Sequence, residues 1–180
     1  MIAKKDVPPD SRYLLMHPRH TVLVTCVDKE GKPNIITLAW STPVSFNPPI
    51  VTISIGPQRY SHQLIEETRE FVINVPQMDL VKETLFCGRN SGRQVDKFKA
   101  TGLTKEPARK VKPPLIKECI AHLECKVVNR FTSGDHTLFL GEVVAASVGE
   151  GFFSERFDVK KLKPIFHVGG DEFITLEGKR

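Results

Sequence analysis

Two long alternating runs limit what this chain can fold into more than any other feature. Residues 118–131 read ECIAHLECKVVNRF and residues 136–148 read HTLFLGEVVAASV, with a turn at Ser133, Gly134 and Asp135. In the first run Cys119, Ala121, Leu123, Cys125 and Val127 share one face, the period-two pattern of a strand with one buried side. A short Gly-containing turn between such runs makes a hairpin. One hairpin is not stable alone, so further strands are required. The sequence supplies them at 21–27 (TVLVTCV), 35–40 (IITLAW), 50–55 (IVTISI) and 71–75 (FVINV). The first two form a hairpin around Gly31 and Pro33. In 50–55, Val51, Ile53 and Ile55 fall on one face, Thr52 and Ser54 on the other.

Helices are few and short. One is expected at 62–68, with Ser61 as its N-cap. Others are expected at 78–88, stopped by Gly88, and at 94–103, ending at Gly102. Residues 41–49 carry three prolines and read as a loop, and 157–173 closes with one strand near PIFHVGG. This pattern predicts a mainly β protein, a closed antiparallel barrel with helical decorations. The strand–helix–strand order at 50–75 does not repeat, and no G-x-G-x-x-G or Walker loop is present.

With 180 residues the chain reads as one domain, residues 1–180. No apolar run approaches the roughly 20 residues of a membrane span. The N-terminus lacks the apolar stretch of a secretory signal, so a cytoplasmic protein with no membrane partner is expected. The net charge of +5 suits acidic ligands. Its basic clusters at 105–117 and 158–163 do not interleave aromatics, which argues against nucleic acid. Cys26, Cys87, Cys119 and Cys125 form no C-x-x-C pair and no zinc spacing, so no metal site is expected. Cys26, Cys119 and Cys125 read as small buried residues, whereas Cys87 precedes a Gly-rich loop.

The stretch SIGPQRYSHQLI (54–65) gathers Arg59, Tyr60, Ser61 and His62 in front of a helix. Capping accounts for Ser61. The alternative is an anion site, because a helix start offers free N–H groups and an Arg beside it makes a place for phosphate.

HPRHTVLVTCVDKEGKPNIITLAWSTPVSFNPP, ISIGPQRYSHQLI, FVINV, CGRNSGRQVDKF, GDHTLFLGEV and PIFHVGG occur in this order across most of residues 17–170. As an ordered set they resemble the flavin reductase-like family of FMN-binding split barrels, near its ferric reductase and flavoredoxin-like members. The resemblance implies a six-stranded Greek-key barrel, a homodimer, and non-covalent FMN. It makes Arg59 and Ser61 phosphate ligands, with Tyr60 and His62 as neighbours. Thr37, Leu38, Ala39, Trp40, Ser41 and Thr42 correspond to the flavin-ring segment. There Trp40 either packs on the ring or fills a dimer core. Cys87, Gly88, Asn90, Ser91 and Gly92 would cover the flavin or reach its phosphate and ribityl chain, and Lys97 and Phe98 would close over it. His167 would face the flavin, unless its Gly pair is only a turn. His136 would lie near the nicotinamide as the catalytic residue, or be a half-exposed strand-end histidine. The implied activity passes hydride from NADH or NADPH to FMN and on to a flavin, a ferric chelate or a redox partner protein. The alternative is an FMN electron carrier without a nicotinamide reaction of its own.

Overall fold

A computed structural model describes residues 2–176. Its first half contains β1 (Arg19–His20), β2 (Val22–Val27), β3 (Pro33–Leu38), β4 (Ser41–Ser45) and β5 (Ile50–Ile55). Next come α1 (Tyr60–Thr68), β6 (Glu70–Val75), α2 (Val81–Arg89) and α3 (Lys97–Thr101). The short pair β7 (Lys105–Glu106) and β8 (Leu115–Ile116) precedes the long hairpin β9 (Ala121–Ser133) and β10 (His136–Val148). A hairpin of β11 (Phe166–Gly169) and β12 (Glu172–Ile174) ends the described chain.

Seven strands make one antiparallel sheet in the order β3-β2-β6-β9-β10-β5-β4. Its edge strands, β3 and β4, are consecutive in the chain, with only Ala39 and Trp40 between them. So short a link reaches roughly 10 Å. The sheet therefore curls until its edges meet at that corner, though no ladder joins them among the described residues. The sheet thus has seven strands where six were expected, and it is not closed by hydrogen bonds. The unexpected strand is β4, taken as a proline loop from sequence. An edge strand tolerates Pro43 because the missing N–H has no partner to lose, and the ladder to β5 slips just after it.

The alternation in β5 holds: Val51, Ile53 and Ile55 enter the core with Val24, Phe71 and Phe139. β2 is buried along its whole length. One face joins that core, while Leu23 on the other packs with Ile35, Cys87 and Phe98 under α2 and α3. In β9 the alternation fails at Glu124, which is 1% exposed. Its carboxylate accepts the backbone N–H groups of Arg109 (3.1 Å) and Lys110 (2.6 Å), which anchors the loop between β7 and β8. α1 begins earlier than expected, with Arg59 as its N-cap and no side-chain cap. Ser61 is not the cap, because its Oγ accepts a 2.7 Å hydrogen bond from Asn34 Nδ2 in the core. α2 likewise runs through Gly88 to Arg89.

Candidate functional site

A cleft of about 530 Å3 opens where the curled edge of the sheet meets α2 and the C-terminal hairpin. Volumes of roughly 300–1,000 Å3 are usual for small-molecule sites. The end of β3 and the link beyond it contribute Thr37, Leu38, Ala39 and Trp40. Arg59, the N-cap of α1, and Tyr60, its first residue, enter from that helix start, and Cys87 to Gly92 from the end of α2 and just beyond it. His136 stands at the start of β10, and His167, Asp171 and Phe173 come from the last hairpin.

Lys97 lines the cleft yet is only 5% exposed. Its ammonium donates to the carbonyls of Ile35 (2.6 Å) and Cys87 (2.7 Å), tying β3 to the end of α2. Among the described residues no carboxylate pairs with it, and burial pushes its pKa below the usual lysine value. Asn34 lies beside it, with Oδ1 buried and without a hydrogen-bond partner. Gly92 is required there: a Cβ would fall 2.6 Å from Asn34 Cγ and 3.1 Å from the Tyr60 ring. The Arg93 guanidinium lies 4.8 Å over that ring.

Flat rings gather at the mouth. Trp40 and His136 are tilted at 36° with centroids 4.9 Å apart. His136 Nδ1 is 2.8 Å from the Asp135 carboxylate, a contact that pulls the carboxyl pKa down. His167 Nε2 donates to the Gly170 carbonyl at 3.0 Å, and its ring packs on His17 and Phe173. Arg89 and Asp171 form an ion pair that ties the end of α2 to the hairpin tip.

Five expected residues lie elsewhere, among them Phe98, which is buried with Leu23 and Ile35 in the core under α2 and α3 instead of closing over the cleft. Ser61 is buried against Asn34, and His62 Nε2 meets Thr137 Oγ1 at 2.8 Å with its ring on Phe139. Ser41 and Thr42 line a separate, smaller groove. Sequence reasoning missed Asn34, Thr84, Asp171 and Phe173 as lining residues. Only Asn34 carried a signal, as a polar residue entering an apolar strand.

The residues present fit an anionic, flat-headed cofactor. Arg59 has no side-chain partner among the described residues, and it precedes an uncapped helix start. The partnerless Asn34 Oδ1 offers a buried acceptor, and the rings offer stacking faces.

The Flavin reductase like domain model matches residues 14–163, and the chain belongs to that family. A flavoredoxin from Methanosarcina acetivorans superposes with a TM-score of 0.88 at 30% identity, covering 99% of this chain and 94% of its own. The FMN-binding protein from Thermus thermophilus, solved with 1-cyclohex-2-enone, gives 0.84 at 25% identity, covering 97% and 96%. An NADH-dependent FAD reductase of Streptomyces globisporus is 34% identical over 69% of this chain and 68% of its own. The protein is thus a flavin-related oxidoreductase or electron carrier, mainly β with a few helices. No described helix is long and apolar enough to cross a membrane.

Proposed function

We propose that the protein holds FMN non-covalently in this cleft and works as an NAD(P)H-dependent flavin or ferric reductase of the cytoplasm. The carrying observation is the convergence in one cleft of unpaired Arg59, buried Lys97, partnerless Asn34 and the Trp40–His136 ring pair. When bound, the flavin supplies the two-electron chemistry between NAD(P)H and an acceptor. The chain's own residues bind and orient. Arg59 and the first N–H groups of α1 receive phosphate. Lys97 holds the backbone of Ile35 and Cys87, and so fixes the wall and the roof. Trp40 and the curled sheet edge exclude water on one side. His136, oriented by Asp135, stands where it can position nicotinamide or carry a proton. A homodimer is part of this reading, supported by wholly exposed Phe46 and by Val44, Val128 and Phe131, all about half exposed.

The test is a visible spectrum of the purified protein before and after anaerobic NADH or NADPH. A flavin spectrum that bleaches promptly is expected. The likeness to a flavoredoxin favours a second reading, an electron carrier, and a spectrum that persists until dithionite is added would select it. A protein that takes up no FMN would sink both. His136→Ala is expected to lower turnover with NAD(P)H at least tenfold and to change FMN affinity less than threefold. Unchanged steady-state rates would remove His136 from the reaction.

A further inference from the structure

A second groove, about 380 Å3, lies on the far side of Trp40 and His136. The period of two in β5 builds its floor. Val51, Ile53 and Ile55 point into the core, so Thr52 and Ser54 point outward, beside Leu138 on the paired strand β10. Two aromatic rings stand over this floor: Trp40, and Tyr13 edge-on to it at 5.8 Å. Trp40, Ser54 and His136 line both the groove and the cleft, so a single layer of side chains separates them.

We infer that this groove is a second small-molecule site, which takes a planar, uncharged organic acceptor of the quinone class. The inference rests on the flavin-reductase reading and adds an acceptor class to it. Flat aromatic walls select a flat ligand. The hydroxyls of Ser41, Ser54 and Ser133 make no hydrogen bond to another group among the described residues' contacts, and they suit carbonyl oxygens. Charge does not favour an anionic ferric chelate. The two charged residues of the lining, Arg19 and Asp135, are of opposite sign, and Arg19 Nε is already given to the Ala39 carbonyl at 2.9 Å. The overall reaction is NAD(P)H + H⁺ + quinone → NAD(P)⁺ + hydroquinone. Two electrons and one proton come from the nicotinamide, the second proton from solvent, and both quinone oxygens end protonated. With the two ligands on either side of one wall, donor and acceptor can be bound together.

The experiment reduces the flavin-loaded protein with stoichiometric dithionite and mixes it anaerobically with 2-methyl-1,4-naphthoquinone or ferric EDTA. Reoxidation by the quinone is expected to saturate. Thr52→Phe and Ser133→Phe, which fill the groove, should each raise the half-saturating quinone concentration at least tenfold and leave the ferric EDTA rate within twofold. A second readout needs no flavin: Trp40 is the only tryptophan. Its fluorescence should be quenched saturably by the quinone, and the variants should abolish that saturation. Failure to bleach with NAD(P)H would strike the parent reading alone. Linear, variant-insensitive reoxidation together with non-saturating quenching would overturn the groove assignment. So would variants that change only the sedimentation coefficient, which would make this face an interface between copies.

Discussion

Among single residues, the buried titratable groups set how stability responds to pH. Burial depresses the Lys97 pKa. Between that folded value and 10.5 the unfolded chain binds more protons, so stability rises with pH across this window. The four thiols act in the opposite sense. Burial raises Cys87 to about 11 and Cys26 to about 12, and raises Cys119 and Cys125 further still. Their contribution is fully present below the unfolded value of 9.0 and is lost as pH climbs toward the folded values. One unit above the unfolded value, each thiol has given up on the order of 1 kcal/mol. Four thiols outweigh one lysine. Urea midpoints should therefore fall steeply between pH 9 and 10, and Cys125→Ala should shallow that fall. A midpoint that held or rose to pH 10 would contradict this assignment.

Elements carry the next constraint, and Gly141 in β10 shows it. A Cβ there would meet the Phe71 ring at 2.5 Å and Cys125 Cβ at 2.9 Å. The β9–β10 register shifts beside it, between Leu140 and Gly141, which lets the hairpin bend over the core. Gly141→Ala should cost about 1–3 kcal/mol through overpacking. Thermal melts should fall by roughly 2–4 °C for each kcal/mol in a chain of this size. The same strands mark what was legible in the sequence. Alternation gave β5 its faces, and turn residues placed both long hairpins, because those signals are local. β4 was hidden because proline argues against a strand unless that strand is an edge, and edge status is set by distant pairing. Glu124 looked solvent-facing because its partners, the N–H groups of Arg109 and Lys110, come from another loop. At the cleft, Arg59, Trp40 and the Cys87–Gly92 loop were legible as motifs. Asp171 and Phe173 were not, because only the folded hairpin brings them to the rim.

Across the whole molecule, the cleft is assembled from parts far apart in the chain, and its last wall is the least embedded. β11 pairs with β1 and β12 in a small sheet of its own, outside the seven-stranded one. Its tip turns at Gly170, with φ +54°, and reaches the end of α2 through the Arg89–Asp171 pair. A ligand that fills the cleft lies against this hairpin, through Gly170, Asp171 and Phe173. The pair is largely exposed, 62% at Arg89 and 46% at Asp171, so solvent screening limits its worth to about 1 kcal/mol or less. That is enough to change an exchange rate up to about fivefold without changing the fold. The release rate of bound FMN, followed by recovery of its fluorescence, should rise about two- to fivefold from 20 mM to 500 mM NaCl. Asp171→Asn should release FMN at the fast rate in both salts, because the screened attraction is already gone. A salt effect of equal size in wild type and variant would assign it to phosphate binding at Arg59 and leave the hairpin no part in retention.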